Sequence, residues 1–133
     1  MTRFVIDADV LIRIADGAVS VQPNHQLVGP GSLRSQAQDL LYQRVRRGAL
    51  ERGEALASLG RITEIKVRLL NDRVSRDVAW KLAEQLKLPD TSYAEHLAIA
   101  QLQADALVTE DAVLARLASG LVRVASIEEL AQA

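Results

Sequence analysis

The sequence is poor in several residue types, and each shortage excludes a class of protein. Its 133 residues include no cysteine, which excludes disulfides, thiolate metal sites and cysteine nucleophiles. Aromatic residues make up 3%, so the base-stacking platforms of single-strand-binding proteins are poorly supplied. The formal net charge of −1 excludes a globally basic nucleic-acid binder. Because no signal-peptide pattern and no membrane-length apolar run is present, we expect a soluble cytoplasmic protein without a membrane partner.

The residues that are present are typical of a globular protein. Apolar residues make up 49% and charged residues 25%, and the length predicts one domain over residues 1–133. Of the 16 basic residues 13 are arginine, whose planar guanidinium suits phosphate contacts. Two groups of neighbouring arginines indicate either a phosphate-binding surface or an ordinary solvated helix face. These groups are Arg44, Arg46, Arg47 and Arg52, and Arg68, Arg73 and Arg76.

Short apolar runs alternate with helical patterns along the chain. The runs at residues 4–6, 26–29, 106–109 and 121–124 predict strands. Helical spacing predicts helices over residues 33–45, 51–70, 75–86 and 92–102, with Trp80 in the core. Strands separated by helices indicate an α/β fold with a mainly parallel sheet and helices on its faces.

Two aspartates follow predicted strands directly. Asp7 ends the first strand and Asp111 follows the third, and right-handed crossovers would bring both to one edge of the sheet. Carboxylates that share an edge repel each other unless a cation lies between them. Mg²⁺ prefers such oxygen ligands and can activate water beside a phosphate. The alternative is that each aspartate only caps the helix that follows it.

The ordered motifs resemble those of a known family. FVIDADVL, at residues 4–11, resembles the opening of PIN-domain proteins, where the first strand ends in Asp, a small residue, and Ser, Asn or Asp. LVTED, at 107–111, resembles their late strand-Thr-x-Asp motif. VGP at 28–30 before a helix, RRG at 46–48 and AWKLA at 79–83 also resemble the small bacterial PIN toxins of the VapBC type. The similarity covers nearly the whole chain in order.

The resemblance implies a fold and an activity. The fold would be a PIN-like three-layer sandwich, with four to five short strands flanked by helices. The activity would be that of a Mg²⁺- or Mn²⁺-dependent endoribonuclease, the toxin of a toxin–antitoxin pair. Such toxins usually bind a small antitoxin that blocks the acidic pocket, and they often dimerise. Asp7 and Asp111 carry over as the metal ligands and catalytic residues.

The chain departs from the family pattern at two acidic positions. Gln36 stands where the family has Glu, and Tyr93 stands where it has Asp. The Gln36 amide oxygen could still contribute, and three other carboxylates are candidate ligands, each with a capping or turn role as the alternative: Asp9, Asp90 and Glu95. We expect three arginines at the rim to hold RNA phosphates: Arg34, Arg46 and Arg47.

The two departures support a second hypothesis. A PIN-like protein with impaired catalysis could act by binding RNA or a partner protein. Two isolated histidines, His25 and His96, lack the spacing of zinc ligands and are expected to be packing or surface residues.

Overall fold

The computed structural model describes residues 1–133 and contains one five-stranded sheet. In chain order the elements are β1 (Thr2–Ile6), α1 (Ala8–Ala15), β2 (His25–Pro30), α2 (Leu33–Arg46), α3 (Arg52–Glu64), β3 (Arg68–Leu70), α4 (Arg73–Gln85), α5 (Ser92–Gln103), β4 (Ala106–Val108), α6 (Ala112–Ala118), β5 (Val124–Ala125) and a final 3-10 helix (Ile127–Ala131). The strand order is β3-β2-β1-β4-β5, and every neighbouring pair is parallel.

Hydrophobic residues cover both faces of the sheet and make three layers. In β1 the buried side chains alternate, so Phe4 and Ile6 enter one core and Val5 enters the other. The first core includes residues of α1, α2 and α3, and the second includes residues of α4, α5 and α6. The predicted α/β three-layer fold is therefore confirmed, with all five strands parallel.

One strand is absent from the sequence prediction. The helix predicted over residues 51–70 ends at Glu64, and Arg68–Leu70 forms β3 beside β2. Val67 and Leu69 pack against the first core while Leu70 packs against the second, which is the alternation of a strand. Three residues are too few for that alternation to outweigh the helical spacing of Ile62, Ile65 and Leu69.

The predicted burial of Trp80 is wrong. Its side chain is 66% exposed, because α4 packs through a stripe that includes Ala79 and Leu82 and leaves Trp80 on the solvent side. None of the helices is both long enough and apolar enough to cross a membrane.

Leu107 gives a direct test of the second core. It is fully buried in β4, between Val5 of β1 and Val124 of β5. We expect Leu107→Ala to lower the free energy of unfolding by about 2–5 kcal/mol, since it removes buried methyl groups and leaves a cavity. Urea denaturation measures the loss, with the exposed Leu102→Ala as the control. Equal losses in the two variants would contradict this packing.

Candidate metal centre

Asp7 and Asp111 lie at the same edge of the sheet and are joined through one hydroxyl. Because Ile6 pairs with Val108, the next residues, Asp7 and Thr109, are neighbours. The Thr109 hydroxyl donates a hydrogen bond to Oδ2 of Asp7. The same hydroxyl accepts one from the backbone N–H of Asp111 at 3.0 Å. The parallel strands therefore place the two predicted acids in one hydrogen-bonded unit.

Asp7 is a buried carboxylate that also caps α1. Its Oδ1 accepts a hydrogen bond from the Val10 N–H at 3.0 Å, and the residue is only 8% exposed. Burial raises the pKa of Asp7 above its ordinary value, and the hydrogen bonds from Thr109 and Val10 offset this only in part. Burial therefore disfavours the ionised form of Asp7, and a nearby positive charge would stabilise that form.

Asp111 is held by the start of α6 and by Tyr93. Its Oδ1 accepts hydrogen bonds from the N–H groups of Val113 at 2.8 Å and Leu114 at 3.2 Å. Its Oδ2 accepts one from the Tyr93 hydroxyl at 2.6 Å. Burial acts to raise the pKa of Asp111, but these hydrogen bonds outweigh it, so the pKa is lowered. The same bond to Asp111 is the main cause that raises the pKa of Tyr93 to about 12.

These contacts bear on the alternative that Asp7 and Asp111 only cap the helices that follow them. Asp7 and Asp111 do cap their helices, and each does so through one oxygen. The second oxygen of each carboxylate is bonded to a hydroxyl instead, from Thr109 or Tyr93. Capping and a site role are therefore compatible in this fold.

The two aspartates line an open cavity of about 680 Å³ with an excess of negative charge. Five carboxylates and one guanidinium line it: Asp7, Asp9, Asp39, Glu110, Asp111 and Arg44. Asp9 pairs with Arg44 at 2.5 Å, and Glu110 pairs with Arg13. Asp7, Asp39 and Asp111 have no ion-pair partner in the structure, so their charge is left uncompensated.

The structure brings together four of the six predicted ligands. Asp7, Asp9, Gln36 and Asp111 line this cavity. Asp90 does not, because its Oδ1 accepts hydrogen bonds from the N–H and hydroxyl of Ser92 at the start of α5, which is a turn role.

Glu95 is also absent from the cavity that contains Asp7. Its side chain points to a separate cavity on the other side of Ser32, whose hydroxyl donates a hydrogen bond to Glu95 at 3.3 Å. The structure thus separates Glu95 from the two strand-end aspartates, because successive residues of a helix point in different directions.

The three arginines predicted at the rim do not line the cavity either. Arg34 donates a hydrogen bond to the carbonyl of Ile65 at 2.9 Å and so ties α2 to the segment after α3. Arg46 and Arg47 are exposed at the C-terminal end of α2, whereas Gln36 lies in its first turn. The arginine that reaches the cavity is Arg44.

The spacing of residues along α2 is sufficient to predict that Arg44 lines this cavity. Gln36, Leu40 and Arg44 recur every four residues along α2, and all three line the cavity. A residue on the same helix face as Gln36 could therefore have been placed at the site from spacing alone.

His96, expected from the sequence to be only a packing or surface residue, is buried and lines this cavity. It is 4% exposed, and its Nδ1 donates a hydrogen bond to the carbonyl of Ser92 at 3.0 Å. Its other ring nitrogen, Nε2, is buried and has no hydrogen-bond partner. Its position one helical turn after Tyr93 is the signal that could have found it, since residues three apart share a face.

The residues fit a hard divalent cation held by few protein ligands. No group of three or more His, Cys, Asp or Glu side chains lies close enough to form a closed metal cage. Mg²⁺ does not require one, because it is commonly bound through one or two carboxylates, several waters and substrate phosphates. The oxygen donors and uncompensated charge of Asp7 and Asp111 suit that mode of binding.

Comparisons with known proteins find similarity at the level of the fold. No family model matches the sequence, and no curated protein matches it. The structure of PAE2754 from Pyrobaculum aerophilum is similar, with a TM-score of 0.72 and 19% identity over 97% of this chain and 93% of that one. VapBC-1 from nontypeable Haemophilus influenzae is similar with a TM-score of 0.61 and 13% identity, over 94% and 98% of the two chains. These TM-scores show a shared PIN-like three-layer fold.

Proposed function

We propose that this protein is a PIN-type endoribonuclease, the toxin of a toxin–antitoxin pair, with Mg²⁺ or Mn²⁺ held by Asp7 and Asp111. The observation that carries the proposal is the pair of strand-end carboxylates, joined through Thr109 in a cavity with excess negative charge. The fold shared with VapBC-1 supports the toxin class.

When bound, a divalent ion would activate water and offset negative charge at the phosphodiester. The protein's own contribution is to hold the two carboxylates rigidly. Thr109 and the α1 N-terminus orient Asp7, while Tyr93 and the α6 N-terminus orient Asp111. His96, whose buried Nε2 has no hydrogen-bond partner, lines the same cavity.

The proposed substrate and partner come from the resemblance to PIN-domain toxins. RNA is the expected substrate, and the exposed Arg46 and Arg47 are available for more distant phosphates. A small cognate antitoxin would block the acidic cavity with a basic side chain, as Arg44 already pairs with Asp9 from within the chain. A homodimer and a cytoplasmic location complete the proposal.

An RNA cleavage assay with and without metal tests the proposed nuclease activity. We expect the purified protein to cleave a mixed RNA pool in Mn²⁺ or Mg²⁺, to stop when EDTA is added, and to resume with excess metal. Isothermal titration should detect binding of the same ions without RNA, since Asp7 and Asp111 form the site before substrate arrives.

Circular dichroism provides the control for loss of fold in EDTA. Cleavage that persists in EDTA would remove the metal from the proposal. A folded protein that neither binds either ion nor cleaves RNA would instead favour a catalytically impaired PIN-like protein that acts by binding.

A further inference from the structure

We propose that a second cavity at the same edge of the sheet binds a guanine base of the RNA, and that Glu95 selects it. This inference deepens the proposed function and rests on it. The cavity has a volume of about 350 Å³ and lies between the ends of β2 and β3 and the helices α4 and α5. That volume falls within the usual range for small-ligand sites, roughly 300–1,000 Å³.

Small residues shape this cavity at the ends of β2 and β3. Gly31 donates its N–H to the carbonyl of Leu70 at 3.0 Å, which fixes the end of β2 against β3. A Cβ at Gly31 would lie 3.2 Å from the Cβ of Asn71, closer than most real contacts. Glycine therefore lets the Asn71 side chain, with its amide donor and acceptor, lie against this wall of the cavity.

Glu95 is the group that can distinguish one base from another. Its side chain is half-buried in the cavity and has no ion-pair partner, and only one of its oxygens accepts a hydrogen bond, a long one from Ser32. Guanine alone presents two adjacent N–H donors, at N1 and N2, on its Watson–Crick edge. Single-stranded RNA exposes that edge, so a carboxylate can accept both bonds.

Trp80 and Arg76 supply the contacts that do not depend on the base. Trp80 lines the cavity and is 66% exposed, which leaves a large aromatic face uncovered. Such a face can stack on any base. Arg76 lies one turn earlier on α4, is exposed and has no ion-pair partner, so it is free to contact a phosphate.

A relay of hydrogen bonds connects this cavity to the one that contains Asp7. Gln36 lines the Asp7 cavity and donates from Nε2 to the Ser32 hydroxyl at 3.0 Å. Ser32 donates in turn to Glu95 at 3.3 Å. The two cavities are therefore separated by one serine side chain, so a guanine held beside Glu95 would place a neighbouring phosphodiester towards Asp7 and Asp111.

The chain's only tryptophan makes the test direct. We expect guanosine 5′-monophosphate (GMP) to change the fluorescence of Trp80 at lower concentration than AMP, CMP or UMP does. Glu95→Gln should weaken GMP binding about tenfold, since a bidentate contact is lost, and should leave AMP binding unchanged. Glu84→Gln is the matched control, because Glu84 is exposed one turn after Trp80 and does not line the cavity.

The outcomes separate this inference from the proposed nuclease activity. The assay needs neither metal nor cleavage, so an inactive protein that still prefers GMP would contradict the nuclease proposal alone. An unchanged Trp80 signal with GMP, equal affinity for all four nucleotides, or a Glu95→Gln variant that keeps the preference would overturn the guanine site.

Discussion

Asp7→Asn should abolish RNA cleavage and at the same time make the protein more stable at neutral pH. We expect activity to fall by at least about a hundredfold, because loss of even the outer partners of a metal ligand costs up to that much. The asparagine can still cap α1 with its oxygen, and its amide can donate to Thr109. The fold should therefore survive.

The expected gain in stability follows from the raised pKa of Asp7. A carboxyl whose pKa is higher in the folded than in the unfolded state contributes stability below its ordinary pKa. That contribution is lost as the pH rises through the raised value, so at pH 7 the ionised group works against folding. A neutral asparagine removes this effect.

Asp77→Asn is the matched control, because Asp77 is an exposed carboxylate on α4 that lines neither cavity. Thermal unfolding and RNA cleavage are measured for both variants beside the wild type. Undiminished cleavage by Asp7→Asn would remove Asp7 from the mechanism, and a lower unfolding temperature would show that its charge is already compensated.

Tyr93→Asp should strengthen metal binding by at least about tenfold, since affinity depends on the number of charged ligands. Tyr93 donates to Asp111 at 2.6 Å, so a carboxylate at this position would add negative charge beside Asp111. Without metal the variant should be less stable than the wild type, because it loses that hydrogen bond and places like charges together. Added Mn²⁺ should restore the stability, since it binds only the folded state.

The Tyr93→Asn variant separates the effect of the added negative charge from the effect of removing the phenol. It removes the same phenol and is similar in size to aspartate, but it adds no charge. Titration with Mn²⁺ and thermal unfolding with and without Mn²⁺ are compared for the two variants. If they bind Mn²⁺ equally, the charge at residue 93 does not govern the metal site.

The strand-end aspartates were predictable from the sequence because their placement depends on local rules. A short apolar run that ends in Asp before a helical pattern fixes the element, its direction and the residue at its end. The parallel connections then bring Asp7 and Asp111 to one edge. The resemblance to PIN-domain toxins added the expected chemistry, and the structure supports its fold.

Other parts of the site depend on tertiary packing, which local sequence patterns do not determine. Glu95 and His96 are neighbours in the sequence, yet they line different cavities, because the rotation of α5 about its axis decides where each points. The apolar helix stripe around Trp80 predicts a core residue, although the buried stripe of α4 passes through Ala79 and leaves Trp80 exposed. β3 was missed because its three residues form a strand only against β2.

The outermost strands limit how this protein can associate with others. β3 has three residues and β5 has two, so either side of the sheet offers few free backbone groups for an added strand. Short edge strands of this kind protect proteins against sheet-to-sheet aggregation. A partner, including a second copy of the chain, would therefore have to dock on helices and loops rather than extend the sheet.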